Sequence, residues 1–373
     1  METKNKTNLH VGTWHATLKT TSTLFCTVLI LCLSSLTLSS CHDDDDDNGG
    51  LVEGQIVTKG LLILNEGSYF ANINGSLDYW DAASGTLTSN VFETVNGRSL
   101  GGTPNHAIIA DKKLFIASTD ENRIEVVDLK TLKAGSPISI SQPRELCATG
   151  GYLYATSYTG KVTKIKIATG EVVATSEVIG ANLEGITAAN GSLYVCNAWN
   201  SDYTYNTNVV KLNPQTLAKQ KDITVNANPN QVIAVGNNVY VCSWGNYYDA
   251  GELVQKIDAS DNVTDIAPAT YMAVFQDKLF LISSPYYQPT YKVYDTRTAT
   301  LSDLAVGSEV FQPTQIAIAQ TGDIFIASLS KDPDTGYGSY TLPGYVVHYK
   351  ADGTLCGQFP TSATSPGTLI YVN

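Results

Sequence analysis

Thr103–Asp128 reads TPNHAIIADKKLFIASTDENRIEVVD and has the pattern of three β-strands joined by two tight turns. Polar turn residues occupy positions 111–112 and 120–122, where hairpins need them. The strand between these turns is apolar at nearly every position, which is typical of a strand covered on both faces by neighbouring sheets. The stretch therefore predicts strands at Pro104–Ala110, Lys113–Ser118 and Arg123–Asp128.

The apolar–aromatic–aliphatic triplet at the centre of this stretch returns along the chain. Its six copies are Leu114-Phe115-Ile116, Leu153-Tyr154-Ala155, Leu193-Tyr194-Val195, Val239-Tyr240-Val241, Leu279-Phe280-Leu281 and Ile324-Phe325-Ile326. Their central aromatic residues are 39, 40, 46, 40 and 45 residues apart. A period of this length is the signature of a β-propeller, in which each repeat is one four-stranded blade.

Each end of the repeat region carries part of one more blade. Leu61–Leu64 fits the triplet position, but its blade has no opening strand before it. Ser365–Val372 resembles the opening strand at 103–110 and has nothing after it. Joining the two parts closes the ring and removes two exposed sheet edges. The sequence thus predicts an all-β, seven-bladed propeller over residues 60–373, closed by a C-terminal strand that completes the N-terminal blade, and no helix in this region.

The first sixty residues carry targeting features. The apolar stretch Leu24–Leu38 follows three lysines and is too short and too interrupted by Ser and Thr to span a membrane stably. Leu38-Ser39-Ser40-Cys41 resembles a bacterial lipobox, with residues 1–40 as the signal peptide and Cys41 as the lipidated N-terminus. An ordinary secretory cleavage site with a coincidental cysteine is the alternative. Residues 41–59 then form a tether that Asp43–Asp47 extends by charge repulsion.

Charge and cysteine content narrow the possible partners. Without residues 1–40 the chain has 20 Lys and Arg against 34 Asp and Glu, a net charge of −14, which makes nucleic acid a poor partner. Cys196 and Cys242 each end a second strand in adjacent blades and are predicted to be small apolar fillers rather than disulfide partners, and no two of the four remaining cysteines have metal-ligand spacing. These four are Cys147, Cys196, Cys242 and Cys356.

The sequence contains no motif that requires catalysis or a cofactor. It lacks a nucleophile elbow, a phosphate-binding Gly loop, a His-Glu-x-x-His and a Cys-x-x-Cys. His348 lies in a strand pattern and is expected to be structural, whereas His106 lies at the start of a first strand and can face a pocket. A lactonase-type propeller enzyme would place a metal in the central channel, and only Glu66 and Glu184 offer acidic ligands there. We therefore expect no enzymatic activity, no cofactor and no metal.

Loops that follow the second strands, or lead into the first strands, concentrate aromatic and amide side chains on one face. Aromatic rings stack on flat ligands and amides satisfy polar groups, so this composition suits a large neutral amphipathic ligand. Aromatic residues inside the triplets are expected to be core instead. The predicted ligand-binding residues are Glu66, Tyr69, Asn105, His106, Arg144, Tyr158, Glu184, Trp199, Tyr203, Asn230, Trp244, Tyr247, Tyr271, Tyr286, Tyr287 and Gln315.

Two further sequence segments resemble those of a known family. Ile124–Leu132 resembles the YVTN/YncE-like propeller repeat, and the likeness covers about residues 60–373. The chain also resembles surface lipoproteins of Bacteroides. This likeness rests on the propeller repeat, the lipobox, the opening segment Leu62–Gly67 and an acidic tract that is similar to the Bacteroidetes surface-export signal. The chain is most similar to the BtuG group.

This resemblance implies a function and a location. The protein would be anchored by lipid at the surface of the outer membrane, capture a corrinoid (vitamin B12) on the loop face, and deliver it to a TonB-dependent outer-membrane transporter. No ligand motif of the family maps onto single residues, so the predicted site rests on loop position and chemistry. A glycan-binding surface lipoprotein of a polysaccharide-uptake system is the alternative, and a lactonase-type enzyme comes after it.

Overall fold

The computed structural model describes residues 56–246, 248–284, 288–306 and 309–373. The predicted signal peptide, the lipidated Cys41 and the acidic tract lie outside the described residues, as do Tyr247, Tyr286 and Tyr287. In the described ranges, no helix has the length and apolar character needed to cross a membrane.

The described strands form seven antiparallel sheets of four strands each, which confirms the predicted seven-bladed propeller. Blade 1 consists of β1 (Gly60–Asn65), β2 (Ser76–Asp81), β3 (Leu87–Thr88) and β28 (Pro366–Val372). Blade 2 consists of β4 (Pro104–Ala110), β5 (Lys113–Ser118), β6 (Arg123–Asp128) and β7 (Ile138–Ser139). Blade 3 consists of β8 (Pro143–Thr149), β9 (Tyr152–Ser157), β10 (Val162–Lys166) and β11 (Val172–Thr175).

The other four blades repeat the same order of consecutive strands. Blade 4 consists of β12 (Asn182–Ala189), β13 (Ser192–Trp199), β14 (Tyr205–Leu212) and β15 (Lys219–Thr224). Blade 5 consists of β16 (Pro229–Val235), β17 (Asn238–Ser243), β18 (Leu253–Ile257) and β19 (Val263–Ala267). Blade 6 consists of β20 (Tyr271–Phe275), β21 (Lys278–Ser283), β22 (Thr290–Asp295) and β23 (Thr300–Asp303). Blade 7 consists of β24 (Gln312–Ile318), β25 (Ile324–Leu329), β26 (Tyr345–Tyr349) and β27 (Leu355–Pro360).

The C-terminal strand β28 closes the ring as predicted. It pairs antiparallel with β1, from Gly60 opposite Val372 to Asn65 opposite Pro366. A buried carboxylate fastens this closure: Asp78 Oδ2 accepts hydrogen bonds from Asn65 Nδ2 at 2.9 Å and from the backbone N–H of Ser362 at 2.8 Å. Because a buried charge is costly unless it is hydrogen-bonded, Asp78 favours the closed ring.

The core lies between the blades, where the triplet residues pack. Phe115 of blade 2 is fully buried and belongs to the same cluster as Leu146 and Leu153 of blade 3. Burying one such side chain contributes roughly 1.5–3 kcal/mol. The aromatic residues at the centre of all six triplets are buried, as predicted; they are Phe115, Tyr154, Tyr194, Tyr240, Phe280 and Phe325.

The structure contains one short helix, so the prediction that residues 60–373 have no helix is wrong. Helix α1 (Val91–Asn96) lies between β3 and β4, and Gly97 ends it in the left-handed conformation with φ of 65°. Val91 and Phe92 are buried in the cluster that also contains Leu100. A helix of six residues is too short to produce the apolar spacing by which sequence patterns reveal helices, so only packing shows it.

Candidate functional site

A cavity of about 700 Å³ opens at the end of the central channel where the innermost strands begin. All seven blades contribute to its lining, and its volume is within the range of roughly 300–1,000 Å³ that is usual for small-molecule sites. We call this end of the propeller the mouth face. The loops that follow the second strand of each blade lie on this face, where the sequence predicted the binding site.

In five blades, a β-bulge near the start of the innermost strand turns the side chains of the bulge toward this cavity. In β4, Pro104 pairs with Ser118, but the next pair is His106 with Ala117, so one residue is inserted. The register shifts in the same way after the prolines that begin β8, β16 and β28 and after the second-position proline of β24. Proline suits these positions because it cannot donate a ladder hydrogen bond. A bulge re-aims side chains, and both residues after each of these prolines line the cavity.

The cavity gathers twelve of the sixteen residues predicted to bind a ligand. These twelve are Glu66, Asn105, His106, Arg144, Tyr158, Glu184, Trp199, Tyr203, Asn230, Trp244, Tyr271 and Gln315. Tyr247, Tyr286 and Tyr287 lie outside the described residues.

Tyr69 lies away from the cavity, contrary to its predicted position. Its loop closes on itself through the bridge between Ser68 and Ile73, so the tip projects into solvent. There Tyr69 is 72% exposed and packs edge-on against Phe70, with ring centroids 5.5 Å apart.

The cavity also contains residues that the sequence analysis missed, above all Glu145 and Gln231. Each is the second residue after a proline that begins an innermost strand. In a regular strand, side chains alternate between the two faces, so this residue would point to the face opposite that of its cavity-lining neighbour. The repeated Pro-x-x pattern was the available signal, because the bulge that follows these prolines exposes both positions. The other missed lining residues with polar or aromatic side chains are Tyr205, Asn228, Thr270, Gln312, Thr314, Tyr340, Ser365 and Thr368.

A buried ion pair forms one side of the cavity. Arg144 Nε and Nη2 donate to Glu184 Oε2 and Oε1 at 3.1 and 3.2 Å, and Tyr158 OH donates to Glu184 Oε1 at 2.6 Å. The Arg144 guanidinium also stacks over the Tyr158 ring at 4.4 Å from its centroid. The pKa of Tyr158 is raised by burial and by the charge of Glu184. Arg144 and Glu184 therefore neutralise each other, and both are held in one geometry.

Beside this pair, His106 is held in a single neutral form. The backbone N–H of Leu146 donates to His106 Nδ1 at 3.1 Å, so the ring proton is on Nε2, which lies 3.2 Å from Glu145 Oε2. Burial and the charge of Arg144 lower the pKa of His106 to about 4. His106 consequently lies beside Glu145 as a neutral ring and does not compensate its charge.

Two carboxyl groups in the cavity have strongly raised pKa values. Burial raises the pKa of Glu145 to about 8, and the charge of Glu184 raises it further than Arg144 lowers it. Burial likewise raises the pKa of Glu66 to about 7, against the opposing charge of Arg144. Such perturbed acids in a concave site are typical of functional sites.

Aromatic rings surround the opening of the cavity. Trp199 lies parallel to Tyr203, with centroids 5.8 Å apart and planes 5° apart, and its edge contacts Tyr158 at 5.5 Å. Trp244 meets Tyr271 edge-to-face at 6.1 Å, and its Nε1 donates to the Thr270 carbonyl at 2.8 Å. Blades 4, 5 and 6 thus present indole and phenol faces at the mouth.

Two buried acceptors in the cavity wall have no partner within the described part of the chain. They are Asn228 Oδ1 and Gln312 Oε1. A buried polar atom without a hydrogen bond costs about 1–3 kcal/mol, so a ligand that donates a hydrogen bond to either oxygen would be favoured here. In the described ranges, no three side chains of His, Cys, Asp or Glu are grouped so that they could hold a metal ion.

Comparison with known families and curated proteins gives a limited match. A family model described as "Domain of unknown function (DUF5074)" matches residues 59–143, the segment from β1 to β7. No curated protein matches the chain by sequence.

Solved structures share its architecture at low sequence identity. A quinonprotein alcohol dehydrogenase-like protein from Bacteroides thetaiotaomicron has a TM-score of 0.62 at 15% identity, over 84% of this chain and 78% of that one. The Pan2 WD40 domain of Neurospora crassa gives 0.56 at 10% identity, over 72% of this chain and 82% of that one. Apo AztD from Citrobacter koseri gives 0.54 at 9% identity, over 84% and 97%. The chain is therefore a seven-bladed β-propeller with a DUF5074 match over residues 59–143 and a fold like that of a Bacteroides protein.

Proposed function

We propose that this protein is a lipid-anchored lipoprotein of the outer-membrane surface that captures a corrinoid at its mouth face and delivers it to a TonB-dependent transporter. The observation that carries the proposal is the cavity itself. It combines aromatic faces at the opening with a wall rich in carboxamides, and it is built by all seven blades.

The opening suits a broad, flat ligand. Trp199 and Tyr203 present parallel rings, and Trp244 and Tyr271 add a second pair from the next blades. Aromatic side chains supply large contact areas with little entropy loss, and they stack on planar or ring-shaped ligands. A corrin macrocycle across the opening would cover these faces.

The wall suits the amide fringe of a corrinoid. Its carboxamides can each donate and accept hydrogen bonds, which is what the primary amides of a corrinoid require. Two of their oxygens are buried without a partner in the described residues. The carboxamide side chains that line the cavity are Asn105, Asn228, Asn230, Gln231, Gln312 and Gln315.

Binding rather than catalysis is the proposed role of the acidic residues. Glu184 is held by Arg144 and Tyr158, and His106 keeps its proton on Nε2 facing Glu145, so the basic nitrogen Nδ1 is occupied by a backbone N–H. Glu184 and His106 Nδ1 are therefore engaged by other groups of the protein. The remaining acids, Glu66 and Glu145, are assigned to ligand binding because they share the cavity with the aromatic and carboxamide side chains.

Titration of the protein that begins at Gly50 with cyanocobalamin tests the proposal. We expect saturable binding at micromolar concentration or below, seen as quenching of Trp fluorescence and as a change in cobalamin absorbance. The test is sharpened by Trp199→Phe, which keeps a ring in the parallel stack, against Trp199→Ala, which removes it. Absence of binding at micromolar cyanocobalamin would overturn the corrinoid assignment.

A surface glycan is the second candidate, and one observation favours it. Tyr203 is 77% exposed and its ring is parallel to that of Trp199, which makes an open platform of the kind on which sugar rings stack. A glycan array with the same protein would detect such binding. A positive array together with a negative cobalamin titration would favour the polysaccharide-uptake role.

A further inference from the structure

The cavity holds two carboxyl groups in addition to that of Glu184, which Arg144 neutralises. Glu184 is neutralised by Arg144, whose remaining Nη1 lies 3.4 Å from the Thr119 hydroxyl. Among the described residues that line the cavity, no Lys or Arg other than Arg144 is present to pair with Glu66 and Glu145. Both residues are half-buried, and a carboxylate partly removed from water is stabilised by an incoming positive charge.

Glu66 is the less satisfied of the two acids. Within the described part of the chain its carboxyl makes no hydrogen bond, and its surroundings act on it only through burial and charge. Its side chain packs against Gly367, where an added Cβ would lie 2.0 Å from Glu66 Oε1. The backbone of β28 therefore leaves room for this carboxyl at the cavity wall.

An independent observation also points to a ligand that donates hydrogen bonds. Asn228 is only 4% exposed, lines the cavity, and has an Oδ1 with no partner in the described ranges. Gln312 contributes a second buried oxygen of the same kind from blade 7. Unpartnered acceptors and carboxyl groups that line the same cavity favour a ligand with several N–H donors and a positive charge.

We infer that the cavity binds the protonated amine of a ring-bearing ligand, with the carboxylates of Glu66 and Glu145 as its counter-charges. The ring contacts Trp199 and Trp244 at the opening, and the ammonium group reaches the acids behind them. This inference shares with the proposed function only the premise that the cavity is a ligand site; it does not depend on the corrinoid.

The groups that face Glu66 and Glu145 fix the expected pH dependence. Arg144 stays charged, its partner Glu184 is hydrogen-bonded, and His106 is neutral above about pH 4. The phenols of Tyr158, Tyr203, Tyr205, Tyr271 and Tyr340 complete the titratable groups of the lining. The pKa values of Glu66 and Glu145 are raised to about 7 and about 8, so a cation that requires both carboxylates displaces protons from them. Its affinity therefore rises between pH 6 and pH 9.

Tryptamine and tryptophol are suitable probes because they differ only in an ammonium against a hydroxyl group. In calorimetric titrations at pH 8 and millimolar ligand, we expect tryptamine to bind roughly 10- to 100-fold more tightly than tryptophol, as for hydrogen bonds to charged groups. Repeating the tryptamine titration in buffers of different ionisation enthalpy should reveal proton release. Equal affinities, or no binding of either compound, would overturn the inference.

Variants connect this preference to the two acids. Glu66→Gln/Glu145→Gln should abolish the preference for tryptamine and its pH dependence while the far-ultraviolet circular dichroism stays unchanged. The matched control is Glu171→Gln/Glu177→Gln, which removes the same charge from exposed positions of blade 3 and its following loop. A preference that survives in the cavity variant, or is lost equally in the control, contradicts a local role for the two acids.

A separate arm tests inorganic cations. Binding of calcium that depends on Glu66 and Glu145, with no binding of tryptamine, would replace the amine by a metal ion and overturn the inference. The cyanocobalamin titration remains independent: its failure removes the corrinoid, whereas failure of the tryptamine comparison removes only the ammonium site.

Discussion

The carboxyl group of Glu66 occupies the space that any side chain at Gly367 would need. An added Cβ at Gly367 would lie 2.0 Å from Glu66 Oε1, and the nearest atoms all belong to the Glu66 side chain. Gly367 is the residue inserted by the bulge of β28, directly after Pro366. The closing strand of the propeller therefore fixes where this acid sits in the cavity.

Gly367→Ala should displace the Glu66 carboxyl with little loss of stability, because the obstructing group is the end of a flexible side chain. We expect tryptamine affinity to fall about tenfold, as for the loss of one hydrogen bond to a charged group. Calorimetric titration measures this, and the melting temperature should change by less than roughly 5 °C. Gly251→Ala is the control, since an added Cβ there meets nothing within 4 Å. Wild-type affinity in Gly367→Ala would show that the position of Glu66 is irrelevant.

Glu145→Gln should stabilise the protein more at pH 8 than at pH 5. The folded-state pKa of Glu145 is raised to about 8, above its usual value of 4.5. Between these values the folded state binds more protons than the unfolded state, so the contribution of Glu145 to stability falls as pH rises. Glutamine removes this loss because it does not ionise and has nearly the same shape as glutamate. Thermal melts of both proteins from pH 5 to pH 8 measure the difference.

His106 acts in the opposite direction and over a different pH window. Its pKa is lowered from 6.5 to about 4, so its contribution to stability rises between pH 4 and pH 6.5.

The control for Glu145→Gln is Glu177→Gln, which removes one carboxylate from an exposed position. A melting difference for Glu145→Gln that does not vary with pH would contradict the raised pKa.

Arg144→Met should be strongly destabilising, by about 3–5 kcal/mol, because it leaves Glu184 buried without its cation. The side chains of the pair are only 14% and 5% exposed. Arg144→Met/Glu184→Met should cost less than the sum of the two single substitutions, because no unpaired charge remains. Urea unfolding gives the four free energies of the cycle. The exposed pair Lys292–Asp303 is the comparison, and its loss should change the free energy of unfolding far less than the loss of Arg144–Glu184.

Trp199→Ala and Trp244→Ala should separate binding from stability. Trp244 donates to the Thr270 carbonyl and packs against the buried cluster that contains Met272, so its loss should cost about 2–3 kcal/mol. Trp199 contacts mainly the rings of Tyr158 and Tyr203 and should cost about 1 kcal/mol. Both should weaken cyanocobalamin binding. A large loss of stability in Trp199→Ala would instead make it a core residue.

The sequence predicted the architecture because the physical cause of the fold repeats. Each blade is a run of hairpins between neighbours in the chain, and each second strand must be apolar on both faces to fill the space between blades. Phe115 and its equivalents therefore recur with the period of the blade. The same reasoning predicted the closure, since Leu61–Leu64 lacked an inner partner and Pro366–Val372 lacked an outer one.

The sequence could not predict how the site is assembled. Along the chain, 78 residues separate Glu66 from Arg144 and 40 separate Arg144 from Glu184, and the ring of blades brings all three around one channel. Glu145 faces the cavity because a bulge overrides strand alternation, and Tyr69 leaves it because its loop pairs with itself. Strand content and blade order are local and periodic, so the sequence by itself determined them. The direction of each side chain and the raised pKa values of the acids depend on distant backbone and on burial, which only the tertiary structure decided.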